Sequence, residues 1–144
     1  MQQRRLVLQL GLAGALALAR PVRACEFFAS TLRVTHPWTR ATADDATTAI
    51  VCMRFDEVQV DDRLIGLETP IATGAELGGH GVGTKLNLAI PQGRETQLTE
   101  HGTHIRLTGL LMPLDVGRSY PMRLLFLNAG VLRADLSVDY ARFK

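Results

Sequence analysis

The sequence predicts an all-β fold, an antiparallel sandwich with Greek-key connections. Three observations carry this. Short runs of alternating or β-branched residues recur along the chain. Gly, Pro, Asn and Asp clusters interrupt almost every run. No segment sustains the 3.6-residue period of a helix. The 144 residues suit one domain, with no internal repeat and no low-complexity tract.

Taken in order, Phe27 and Phe28 open the domain. Leu32 to His36 alternates as a strand, and Pro37 is expected to end its regular pairing. Trp38, the single tryptophan, is expected to plug the core or an edge. Ala49 to Phe55 is apolar and β-branched, the pattern of a strand buried on both sides. Arg63 to Thr69 is a strand stopped by Pro70. The segment from Gly74 to Gly83 holds five glycines around His80 and is expected to be a loop of left-handed turns and close approaches. Thr84 to Ile90 alternates, pointing Leu86, Leu88 and Ile90 inward, and Glu95 to Thr99 makes a short strand. After the Glu100-His101-Gly102 turn, Thr103 to Leu110 places Ile105 and Leu107 on a core face, with His104 and Arg106 on the other. Tyr120 to Leu127 and Val131 to Tyr140 form a hairpin around Asn128-Ala129-Gly130.

Residues 1–24 have the layout of a secretory signal peptide, leaving 25–144 as the folded domain. Arg4 and Arg5 precede an uncharged stretch from Leu6 to Ala19, and Val22-Arg23-Ala24 offers a cleavage site after Ala24. The apolar run is shorter than the roughly 20 residues of a spanning helix. Arg4-Arg5 also resembles a twin-arginine signal, which leaves the export route open. Cleavage removes Arg4, Arg5, Arg20 and Arg23, leaving 12 of the 16 basic residues against 14 acidic ones, a net charge of −2. The basic balance of the full chain therefore belongs to the leader, and no basic patch points to nucleic acid.

Cys25 and Cys52 remain after cleavage. In an oxidising compartment such a pair is expected to form a disulfide, worth about 3 kcal/mol in the chain-entropy picture. The alternative is a lipid on Cys25, although Arg23 stands where a lipoprotein signal prefers a small residue.

Among groups that could do chemistry, no nucleophile–base signature or phosphate loop is present, and the protein is expected not to be an enzyme. A metal site has more support. His80, His101 and His104 lie within 25 residues, and Met53, Met112 and Met122 offer thioethers. Imidazole suits copper or zinc, and thioether favours Cu(I). Taken singly, each histidine is also compatible with a surface or hydrogen-bonded role, and Met53 with the core.

Several segments resemble, in order, the periplasmic copper chaperones called PCu(A)C. They are Val34-Thr35-His36-Pro37-Trp38-Thr39-Arg40-Ala41, Asp61-Asp62-Arg63-Leu64-Ile65-Gly66, Ala75-Glu76-Leu77, Ile90-Pro91, and His104-Ile105-Arg106-Leu107-Thr108-Gly109-Leu110 with Pro113-Leu114. The resemblance implies a cupredoxin-like sandwich, copper as cargo, and a copper-accepting membrane or periplasmic partner. The family holds Cu(I) with two histidines and two methionines. Here only His104 occupies a ligand position. Gly78 stands where the first histidine is expected, Arg106 stands where the closing methionine is expected, and no methionine lies between Val82 and Ile90. A replacement site would draw on His104 with His80 and His101. The other reading is a non-metal module that presents His104 and Arg106 to a protein partner or a small anion.

Overall fold

The computed structural model describes residues 25–80 and 83–142. The expected leader, residues 1–24, lies outside them. The described residues contain strands and no helix. The strands are β1 (Glu26–Phe28), β2 (Arg33–Arg40), β3 (Thr48–Asp56), β4 (Asp62–Glu68), β5 (Ala72–Gly78), β6 (Thr84–Lys85), β7 (Leu88–Ile90), β8 (Thr96–Gln97), β9 (His104–Leu110), β10 (Ser119–Phe126) and β11 (Gly130–Tyr140). They pair in the order β6-β5-β9-β3-β2-β11-β10-β4-β7, with β1 added to β2 and β8 to β3.

The sheet curls into a cupredoxin-like β-sandwich because alternate residues of its long strands are apolar and need cover. Ile105 and Leu107 of β9 join Val51 and Phe55 of β3, Leu64 of β4, Met122 and Leu124 of β10 and Leu136 of β11 in one buried cluster. All pairings among the described residues are antiparallel except β2 with β11, which run parallel.

Three local expectations change. Pro37 does not end the second strand. His36 takes a left-handed φ of 52°, and the β2–β3 register shifts between Thr35 and Trp38. A bulge thus absorbs the proline and pairing resumes at Trp38. The glycine-rich segment is not wholly a loop. Its first half is β5, whose residues from Ala72 to Gly78 pair with β9. The stretch from Thr84 to Ile90 is interrupted: Leu86 is buried between two short strands, while Leu88 is only half-buried.

Asp62 anchors the far end of the sandwich. Its carboxylate is 4% exposed and accepts from the backbone N–H groups of Arg63, Asn128 and Ala129 at 2.7–2.9 Å. This ties β4 to the β10–β11 turn.

The expected Cys25–Cys52 disulfide is corrected by the structure, in which both are free thiols. β2 runs between them. β1 and β3 both pair with Thr35, from opposite edges of β2. Cys25 follows the first ladder, its carbonyl accepting from His36 N–H, while Cys52 faces Trp38 in the second. Strands two apart in a sheet are separated by roughly 9–10 Å, beyond the roughly 7 Å limit for a disulfide.

Candidate functional site

β9 enters the sheet between β5 and β3, and its first residues define the site. Antiparallel register sets Gly78 opposite His104 and Glu76 opposite Arg106. On the other side Ile50 faces Arg106 and Val51 faces Ile105. The next step of that register brings Cys52 beside His104. Beyond it lies Trp38 of β2. One sheet face therefore carries Glu76, Gly78, Arg106, His104, Cys52 and Trp38 across four strands.

His104 is 5% exposed. Its Nδ1 lies 3.1 Å from the Gly102 carbonyl. A carbonyl only accepts, so this ring nitrogen carries the hydrogen and the bond fixes the ring's orientation. Nε2 is buried and has no protein partner. It points across the ladder at Gly78, where an added Cβ would stand 2.9 Å from Nε2 and 3.1 Å from an Arg106 guanidinium nitrogen. Gly78 must be small because the imidazole and the guanidinium already fill that space. Arg106 is held by Glu76 at 3.1 Å, with both side chains about 31% exposed.

The 99–103 turn closes one side. Thr99 N–H bonds the Thr103 carbonyl, and Gly102 N–H bonds the Thr99 hydroxyl. Gly79, at φ 113°, packs against the Gly102 carbonyl where any Cβ would collide. Glu100 on this turn receives two bonds from the Arg40 guanidinium, at 2.6 and 3.0 Å. Arg40 thereby holds the Glu100 carboxyl below its ordinary range. The Arg40 guanidinium also lies 5.2 Å from the centre of the Tyr140 ring, which meets Trp38 edge-on at 4.8 Å. Trp38 is thus a half-buried plug at the β2–β11 junction. Burial, aided by nearby Glu100, pushes the Cys52 thiol up to about 12, against the opposing effect of Arg40.

The three histidines singled out by the sequence do not converge. His104 is inside, whereas His80 and His101 are exposed on neighbouring turns. Among the described residues, no three His, Cys, Asp or Glu side chains could together hold a metal ion. The methionines do not compensate. Met53 and Met122 are 2% exposed in the core. Met112 lies beyond the far end of β9, which itself runs about 20 Å from His104 to Leu110. Sequence reasoning missed Glu76 as the partner of Arg106 and Arg40 as the partner of Glu100, since only strand register brings these residues together. A separate groove of about 620 Å³, with Phe27, Pro70, Pro121 and Met122 in its lining, includes none of the residues of the His104 corner.

The curled all-β sandwich is also the fold of solved PCuAC domains. Similar solved structures include a copper-bound PCuAC domain from PmoF2, with a TM-score of 0.73 and 24% identity, covering 80% of this chain and 97% of that one. The apo PCuAC domain from PmoF1 gives 0.73 and 24%, covering 80% and 98%. CuI-DR1885 from Deinococcus radiodurans gives 0.60 and 24%, covering 85% of each chain. No curated protein matches the chain. The family model described as "Putative lipoprotein LpqE-like" matches residues 32–138, and the chain belongs to the LpqE-like family.

Proposed function

We propose that this protein is an exported copper-handling domain whose metal corner has been reduced to one protein imidazole, His104. The observation that carries this reading is the state of that ring. Its Nδ1–H is anchored on the Gly102 carbonyl, and its buried Nε2 has no protein partner. This is how a protein orients an imidazole that presents a lone pair to a metal.

The residues present do not fit the four-donor Cu(I) site of the PCu(A)C family. Gly78 has no side chain, the thioethers are buried or distant, and Arg106 brings a permanent positive charge. Glu76 offsets that charge, so a copper ion at Nε2 meets a locally neutral pair. Copper is then a cargo held by His104 together with donors from outside the chain, such as a copper-accepting membrane or periplasmic protein. His80 and His101, exposed on adjacent turns, are available to such an encounter but do not form the site.

Export agrees with the leader expected over residues 1–24 and with the lipoprotein description of the family. With no disulfide to occupy it, Cys25 is free to carry a lipid, which would tether the domain by its N-terminal strand. Mass spectrometry of the membrane fraction tests this: a diacylglyceryl group on Cys25 supports it, and a soluble chain with an unmodified Cys25 opposes it.

A second reading is favoured by the Arg106–Glu76 pair. The same corner would serve as a non-metal module in which Arg106 grips a partner's carboxylate or a small anion. Partner capture that Arg106→Ala abolishes, and that copper leaves unchanged, would select this reading.

A further inference from the structure

The groove bordered by Phe27, Pro70 and Pro121 lies apart from the His104 corner. Its volume of about 620 Å³ falls within the roughly 300–1,000 Å³ of small-molecule sites. Glu68, Arg123, Arg133 and Asp135 also line it, and strand register orders these charges. Glu68 of β4 faces Arg123 of β10, which in turn faces Arg133 of β11. Two guanidinium groups thus stand side by side, and like charges directly opposite each other on a ladder repel. Glu68 relieves only one of them, lying 3.6 Å from Arg123 with both side chains more than half exposed. Among the described residues, Arg133 and Asp135 have no ion-pair partner. Asp135 sits two residues along β11 on the same sheet face, opposite Pro121. A largely apolar groove therefore carries paired cations at one point and a lone carboxylate roughly 7 Å further along the strand.

We infer that this groove binds a short apolar peptide by its two ends, with the C-terminal carboxylate between Arg123 and Arg133 and the N-terminal ammonium on Asp135. Two extended residues reach about 7 Å, which matches the spacing of the charges. A carboxylate offers two oxygens to the paired guanidinium groups and offsets their repulsion. It takes the place of Glu68 at small cost, because an exposed ion pair contributes weakly. The apolar side chains of the peptide pack on Phe27 and the rings of Pro70 and Pro121. A fatty anion would set its tail against Asp135, and an amine would leave the arginines unpaired. The site uses no residue of the His104 corner and does not depend on copper.

Calorimetry and amide chemical shifts on residues 25–144, which carry every described strand, read the binding of leucyl-leucine. Leucyl-leucinamide lacks the carboxylate and is expected to bind about tenfold more weakly, the scale of one charge-assisted contact. N-acetyl-leucyl-leucine lacks the ammonium and should also bind more weakly. Glycyl-glycine keeps both charges without the apolar side chains and should lose about tenfold or more. Arg133→Gln should erase the preference for the free carboxylate, and Asp135→Asn the preference for the free ammonium. Both positions are exposed, and denaturant unfolding checks that the variants fold. Glu68→Gln removes the competing carboxylate and should strengthen leucyl-leucine binding, which supplies a second measure. Equal affinity for leucyl-leucine and its amide, a carboxylate preference retained in Arg133→Gln, or weakened binding in Glu68→Gln overturns the inference. So do shifts that fall outside the groove, or no binding of leucyl-leucine at about 10 mM.

Discussion

Gly78 and His104 face each other across the β5–β9 ladder so closely that a Cβ on residue 78 would stand 2.9 Å from the imidazole Nε2. The side chain absent at one position is what lets the other lie buried. Gly78→Ala is therefore expected to overpack the corner and destabilise the fold by about 1–3 kcal/mol. Denaturant unfolding measures the loss. Placing the same change in a His104→Ala background should relieve most of it, and equal losses in the two backgrounds would remove the proposed contact.

Asp62 supports a second prediction. Its buried carboxylate accepts from three backbone N–H groups on two segments. Asp62→Ala leaves those donors without their acceptor and is expected to cost about 3 kcal/mol or more. Asp62→Asn keeps one acceptor oxygen and should cost less. Chemical denaturation distinguishes the two, and an alanine variant as stable as the parent would contradict the role.

The fold was legible from short alternating runs and turn residues, because burial of every second side chain writes itself directly into a strand. The central hydrophobic pattern of Ile105 and Leu107 is an example. The strand β5 was less legible: Thr73, Gly74 and Ala75 carry little hydrophobic signal, and pairing with β9 makes the strand. The disulfide expectation failed because two cysteines and an oxidising compartment say nothing about a strand between them. His104 was singled out by its position in the family resemblance, and its burial with an unpartnered Nε2 came only with the fold. Its solitude was not legible, since the exposure of His80 and His101 depends on turns that no local motif encodes.

The free thiols give a third prediction. Cys52 is fully buried and its thiol is pushed up to about 12, whereas Cys25 is half-buried at the edge of β1. In unlipidated residues 25–144 at about pH 8, a thiol reagent should label Cys25 readily and Cys52 only on unfolding. Rapid labelling of both in the native state, or a disulfide that blocks both, would contradict the arrangement.

Two carboxylates contribute to acid stability. Hydrogen bonding from Arg33 holds Asp56 below its ordinary 3.8, and bonding from Arg40 holds Glu100 below its ordinary 4.5. A carboxyl lowered in the fold contributes stability that is full above its unfolded value and is lost as pH falls through the folded one. The unfolding temperature should therefore hold above about pH 5 and decline below about pH 4. Arg40→Met should flatten part of that decline by returning Glu100 towards its ordinary range. An unchanged pH profile would show that the pair adds nothing to stability.

In the proposed function, His104 alone among the protein's side chains holds the copper. A competition titration of residues 25–144 with Cu(I) and with Cu(II), against a chelator of known affinity, tests it most directly. The expected result is saturable copper binding that His104→Ala abolishes and that the double change of His80 and His101 to Ala leaves in place. Absence of binding in both oxidation states, or binding that survives His104→Ala, would contradict it.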